Sequence, residues 1–265
     1  MGRFDVESFR RLLRTRVMGQ ACYAFDVLAS TNASMHVLGR SGNPEGTIIL
    51  ADQQTAGRGQ ADKVWISPPQ CNLYVSILLR PLIAPTQAPL ISLLTAVALV
   101  DALRQQGVEC GIKWPNDVLI QRRKVAGVLA EMEMHQDTLA FVVVGIGVNV
   151  NMTQDALQKY LGPIAQTATS LQIALGHEIP REVLLAALME SLEQWYDRLI
   201  THGATGLQPA WEARSVMHGR RITAHTTEAT WHGIAEGIDQ AGRLRLRRDD
   251  GVLLTLTSAE VRFRD

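Results

Sequence analysis

The chain has 265 residues, 46% of them hydrophobic and 20% charged, the ordinary balance of a soluble globular protein with room for one large core and a small second one. Lys+Arg and Asp+Glu each number 26, so no overall field draws it to nucleic acid or to a membrane, and any anion chemistry must rest on local clusters of charge. Three scattered cysteines (Cys22, Cys71, Cys110) make neither a disulfide framework nor a C-x-x-C site, and the N-terminus has no apolar run of signal-peptide length; a reduced cytoplasm is the expected compartment.

In chain order, residues 5–16 read as a short helix, followed by alternating strands at about 46–52 and 72–80. Pro89 to Gln106 reads as a buried helix stopped by Gly107, and its apolar segment around 89–100 is expected to fall short of a membrane span. Apolar runs near 117–120, 125–132 and 139–150 are joined by links too short for crossover helices, so they are expected to form antiparallel hairpins. Pro180 opens another helix that ends near Gly203. After a linker around 204–217, Leu244-Arg245-Leu246-Arg247 and Leu254-Thr255-Leu256-Thr257 alternate with period two about an Asp250-Gly251 turn. The expected fold is therefore α+β: a mixed or antiparallel sheet packed with helices over 1–215, then a small SH3-like β-barrel over 216–265.

Four segments carry candidate chemistry. In Gln53-Gln54-Thr55-Ala56-Gly57-Arg58-Gly59-Gln60-Ala61-Asp62-Lys63-Val64-Trp65, two glycines around an arginine let a loop approach an anion, and Trp65 offers a platform for a flat ring; taken alone, such a segment is more often a surface turn between strands. Lys113-Trp114-Pro115-Asn116-Asp117 gathers a cation, an amide and a carboxylate at a strand entry, with Trp114 suited to the core. Here lysine supplies a point charge for phosphate, and aspartate can hold Mg²⁺ or accept an amine proton. Lys124 heads an apolar strand in which Gly127 leaves room for a close neighbour. Gly145 and Gly147, two apart on a strand, share one face and open a slot beside Asn149. Together these suggest a pocket that forms an adenylate, with glycine-floored strands for a slim apolar ligand and cations for phosphates. The residues alone do not name that ligand.

In this order, with Ser30-Thr31-Asn32 upstream, the segments resemble the catalytic domain of biotin–protein ligases, and the resemblance runs from about residue 20 to Arg264. It implies an ATP-dependent, AMP-forming ligase with Mg²⁺ as companion of ATP. The biotin carboxylate would attack the α-phosphate to give biotinyl-5′-AMP, and a lysine of a biotin carrier domain would then take the biotin. That carrier would belong to acetyl-CoA carboxylase or another biotin-dependent carboxylase.

By the same resemblance Ser30, Thr31 and Gln54 should meet the ureido ring, and Gly57, Gly127, Gly145 and Gly147 should border the biotin. Arg58 and Lys124 should meet the carboxylate and α-phosphate, and Lys113 the phosphates. Gln60, Lys63, Trp65, Asn116, Asn149 and Arg264 should serve the nucleotide side. Asp117 should orient or deprotonate the acceptor lysine. An adenylate must be kept from water, so 57–64 is the expected lid.

The lid departs from the family's pattern: Gln60 stands where an arginine is usual, and Asp62 where a glycine is. Losing one cation beside a phosphate costs on the order of 1–3 kcal/mol, so adenylate should leak more readily than from a Gln60→Arg variant, read as stray lysine labelling. About twenty residues precede the catalytic segment, too few for a winged-helix domain, so no DNA partner is expected. An exposed sheet edge allows a homodimer without demanding one. The rival readings are a lipoate or octanoate ligase and a non-catalytic biotin sensor.

Overall fold

The computed structural model describes residues 2–60 and 63–264. In chain order the elements are α1 (Val6–Leu12), β1 (Cys22–Leu28), α2 (Thr31–Arg40), β2 (Ile48–Gln54), β3 (Leu73–Leu79), α3 (Pro89–Gln105), β4 (Gly111–Lys113), β5 (Asp117–Ile120), β6 (Arg123–His135) and β7 (Thr138–Val148). There follow α4 (Gln154–Leu161), α5 (Leu171–Leu175), α6 (Arg181–His202), α7 (Leu207–Glu212) and the strands β8 (Arg221–His225), β9 (Thr230–Ile238), β10 (Leu244–Arg248), β11 (Leu253–Leu256) and β12 (Glu260–Phe263).

Seven strands form one sheet in the order β1-β2-β3-β7-β6-β5-β4. β1 and β2 pair in parallel across α2; every other pairing in this sheet is antiparallel. The sheet is therefore mixed, and the hairpins expected from the short links at 121–123 and 136–137 are present. Two-residue periodicity sorts the central strand β7. Val142, Val144, Ile146 and Val148 face a core shared with α3 and α6, whereas Phe141 and Val143 lie under α2 with Met35, Ile49 and Leu78. Beyond the end of α2, the strand's face on that side continues as Gly145 and Gly147. The loss of side chains there makes the pocket.

The helical run Pro85–Gln105 does reach a membrane-spanning length, contrary to expectation, yet most of it is buried inside the protein as the core helix under the sheet. α1 is shorter than the expected 5–16, because the chain turns away to meet α6. The Glu193 carboxylate on α6 accepts the backbone N–H groups of Arg16, Val17 and Met18 at 2.7–3.1 Å. Arg181 on the same helix makes a buried ion pair with Asp52 of β2 at 2.7 Å. The segment 204–217 is no loose linker: it contains α7, whose Trp211 is fully buried in the main core.

The C-terminal strands form an antiparallel sheet in the order β11-β10-β9-β8-β12, and Asp250-Gly251 turns β10 into β11 as expected. Ile222, Ala224, Ala235, Ile238, Leu244, Leu246 and Val261 of this sheet join the main core. The indole N–H of buried Trp114 donates to the carbonyl of Gly242 at 3.0 Å, which ties the turn after β9 to the segment carrying Lys113 and Asp117.

Candidate active site

Two adjoining hollows lie against the sheet. The inner one, about 290 Å³, is bordered by Thr31, Gln54, Trp65, Lys124, Gly147 and Asn149 among others. The outer cleft, about 1210 Å³, runs between the 57–64 loop, the Lys113–Asp117 turn and the C-terminal residues 225–227 and 257–261. Arg58, Gly59, Gln60, Lys63, Val64, Asn116 and Asp117 border both.

The inner end of the pocket is a closed polar network. Ser30 caps α2 and turns Thr31 and Asn32 onto the sheet. Thr31 donates its backbone N–H to Gln54 Oε1 at 2.9 Å and its hydroxyl to the same oxygen at 3.1 Å. Gln54 Nε2 in turn donates to Ser67 Oγ at 2.9 Å, which leaves its second N–H for a ligand. The Ser76 hydroxyl, fully buried on β3, lies 2.8 Å from Thr31 Oγ1 and donates to Asn32 Oδ1 at 2.6 Å. Asn32 Nδ2 donates to Glu131 Oε2 at 2.6 Å. Because a carboxylate only accepts, Glu131 fixes which way the Asn32 amide points.

Sequence reasoning missed Asn32, Ser76 and Glu131. Asn32 was read there only as a neighbour of Ser30 and Thr31. Ser76 had a signal: it is the one small polar residue in the run Leu73-Tyr74-Val75-Ser76-Ile77-Leu78-Leu79, a strand buried on both faces.

The expected glycine slot is already occupied in part. A Cβ on Gly145 would come within 2.2 Å of Asn32 Oδ1, and one on Gly147 within 2.5 Å of the Trp65 ring. Gly145 is thus small to admit Asn32, and Gly147 to admit Trp65. Trp65 reaches the sheet because the loop folds as a hairpin, with Arg58 bridged to Val64 and Trp65 N–H donating to Gly57 O at 3.0 Å. Its indole N–H is buried and has no acceptor among the described residues.

The other end is cationic. Asp117 sits between two lysines, 2.5 Å from Lys124 Nζ and 3.9 Å from Lys113 Nζ. Burial pushes Lys113 below the ordinary lysine range, and the neighbouring Asp117 works against that shift. Lys124 Nζ also lies 5.3 Å from the centre of the Trp65 ring. Arg58, by contrast, is paired with Glu131. The two cations expected to act together are therefore held by different carboxylates, Lys124 by Asp117 of β5 and Arg58 by Glu131 of β6. Lys63 reaches Glu260 of β12 at 3.2 Å, so the loop also touches the C-terminal sheet.

Several expectations change on this geometry. Asp117 lies between both lysines, with Lys124 on Oδ1 and Lys113 further off on the Oδ2 side, an arrangement that suits holding them in place as well as taking a proton. The amide nitrogen of Asn116 is committed to the Val128 carbonyl, and that of Asn149 to Thr169 O at 3.0 Å. Arg264 is exposed, pairs its N–H with Arg221 O, and borders neither hollow. The departures at Ala61 and Asp62 lie outside the described residues. Leu161, Ile164, Thr167 and Ala168, also unforeseen, wall the inner pocket beside Asn149.

Among the described residues no group of three His, Cys, Asp or Glu side chains is placed to hold a metal ion. Mg²⁺ needs only one or two carboxylates beside substrate phosphates, and Asp117, which borders both hollows, is placed to supply one.

Comparison with known proteins matches residues 24–149 to the biotin/lipoate A/B protein ligase family and residues 217–264 to the biotin protein ligase C terminal domain. The bifunctional ligase/repressor BirA of Bacillus subtilis is 38% identical over 252 residues, covering 95% of this chain and 77% of the relative. The biotin–[acetyl-CoA-carboxylase] ligase of Paracoccus denitrificans is 38% identical over 221 residues, covering 81% of this chain and 89% of the relative. Among solved structures, the biotin protein ligase from Aquifex aeolicus in complex with biotin and ATP superposes with a TM-score of 0.76 at 25% identity, covering 92% of this chain and 99% of that one.

Proposed function

The chain belongs to the biotin/lipoate A/B protein ligase family, and from that premise we propose how its own residues activate biotin with ATP and pass it to a carrier protein. The observation that carries the reading is the polarity of one pocket: a closed hydrogen-bonding network at one end, glycine-floored strands between, and Lys124 and Asp117 at the other, with Lys113 across Asp117 in the adjoining cleft. A cyclic urea supplies N–H donors and a carbonyl acceptor to Thr31 and Gln54. A dithiolane ring offers no acceptor to the Gln54 N–H that the network leaves over, which disfavours lipoate.

In the first step a carboxylate oxygen of biotin attacks the α-phosphorus of ATP, the bond to the β-phosphate oxygen breaks, and pyrophosphate leaves. Both reactants are anions, so Lys124 and Arg58 cancel their repulsion and Lys113 takes up charge moving onto pyrophosphate. Mg²⁺, when it arrives with ATP, neutralises phosphate charge. Trp65 and the 57–64 loop keep water from the mixed anhydride. In the second step the neutral amine of a carrier lysine attacks the acyl carbon, AMP leaves, and the amine loses a proton as the amide forms. The outer cleft gives the lysine its approach. Biotin and ATP are the substrates, and a biotin carrier domain of acetyl-CoA carboxylase is the partner proposed. The three free cysteines agree with a reducing cytoplasm.

The test is to incubate the protein with Mg-ATP, a biotin carrier domain and either biotin or lipoate, following carrier mass and pyrophosphate. A gain of one biotin on the carrier, and none from lipoate, is expected. Biotin binding without pyrophosphate release would instead identify a sensor, and labelling by lipoate would overturn the substrate.

A further inference from the structure

The free protein holds Arg58 away from Lys124. The Lys124 ammonium lies over Gly127, within 3.1 Å of where a Cβ there would stand, and Glu131 is four positions further along β6, about 13 Å of strand at about 3.3 Å per residue. Lys124 leans on Asp117, while Arg58 is drawn to Glu131 beside Asn32. Both cations nevertheless border the same inner pocket.

We propose that Glu131 is a positioning residue: it holds Arg58 in the free enzyme and surrenders it to the substrate's anion. This rests on the reading that Arg58 meets the biotin carboxylate and α-phosphate. Ligand binding then exchanges one carboxylate partner of Arg58 for another. Three observations make the exchange easy. The Arg58 side chain is half exposed, so water can accompany it. Glu131, largely buried, is not stranded when Arg58 leaves, because Asn32 Nδ2 remains at 2.6 Å and His36 Nε2 lies 3.8 Å away. The same carboxylate orients Asn32, whose Oδ1 takes the Ser76 proton, so it belongs both to the network that meets the head group and to the lid.

Glu131→Gln separates these two duties, since its amide oxygen still accepts from Asn32 while the negative charge is gone. The measurement is calorimetric binding of biotin, and of biotin amide in which a neutral carboxamide replaces the carboxylate. The proteins are the wild type, Glu131→Gln, Arg58→Ala and the double variant. Glu131→Gln should raise the preference for biotin over biotin amide about three- to fivefold, the scale of a partly exposed ion pair, whatever it does to head-group binding common to both ligands. Arg58→Ala should abolish that gain.

An equal change for both ligands, or a gain that persists without Arg58, would overturn the proposal. If the wild type prefers biotin through Arg58 but Glu131→Gln does not enlarge the preference, the role of Glu131 alone fails. If the wild type binds both ligands alike and Arg58→Ala alters neither, the assignment of Arg58 to the anion fails with it. Glu131→Asp, which withdraws the carboxylate without removing its charge, gives a second route should the glutamine variant not fold, with a smaller gain of the same sign expected.

Discussion

The two ends of the pocket are built on opposite plans. At the inner end Thr31, Asn32, Gln54 and Ser76 are linked to one another and then to Glu131, on rigid strands and the first turn of α2. At the outer end Arg58, Lys63, Lys113 and Lys124 face the carboxylates Glu131, Glu260 and Asp117, and Lys124 also lies over the Trp65 ring. A neutral, directional head group can be awaited by a finished network, since hydrogen bonds left unmade in a buried site are costly. Cations awaiting a triphosphate must be kept apart from each other until it comes, so they are placed on carboxylates that the substrate can displace.

The sharpest way to break this comparison is Lys124→Met. If the outer end stabilises developing charge, biotin activation measured by ATP–pyrophosphate exchange should fall about 10²–10³-fold, while biotin affinity changes by less than about threefold. Ser76→Ala tests the other end. It deprives buried Asn32 Oδ1 of its donor and should weaken biotin binding about tenfold, with little change in the rate at saturating biotin. A large rate loss from Ser76→Ala, or a large affinity loss from Lys124→Met, would show that the two ends are not separate in function.

The pH profile sharpens the outer end further. Lys113 serves as a cation, and burial lowers its pKa below the ordinary 10.5, so its charge is present at low pH and lost as pH rises through the lowered value. Activation should therefore decline on the alkaline side earlier than an exposed lysine would allow, and Lys113→Arg should move that limb upward. The smallest effect belongs to the pair between the loop and the C-terminal sheet. Glu260→Gln should alter activation by less than about threefold, because Lys63 and Glu260 are both substantially exposed.

The same contrast explains what could be read from the sequence. The apolar runs of β6 and β7 and the long helices α3 and α6 announced themselves by periodicity and punctuation, and the motif residues of the outer end were visible as local charge clusters. The inner network was only half legible. Thr31 and Gln54 came through family resemblance, whereas Ser76 and Glu131 are distant in sequence and meet only because β3, β7 and β6 are adjacent and α2 lays Asn32 across them. β1 and α2 were overlooked because β1 is largely exposed and lacks a buried face, and because Ser30 was taken for a ligand contact rather than a helix cap. α7 was lost among small and polar residues, although Trp211 anchors it in the core.

The bond from Trp114 to the carbonyl of Gly242 bears on how such a protein can be recombined. Gly242 has a left-handed φ of 79°, and a Cβ there would come within 2.3 Å of Leu93 on α3. A foreign C-terminal sheet grafted onto this chain would need the same bare turn at the same place. A side chain there would have to displace the Leu93 methyl and hold a strained left-handed φ, and the carbonyl that accepts from Trp114 would shift with the turn. The two sheets are thus matched at this turn, and chimaeras that cross over between α7 and β8 should be more stable when the donor brings a glycine to it.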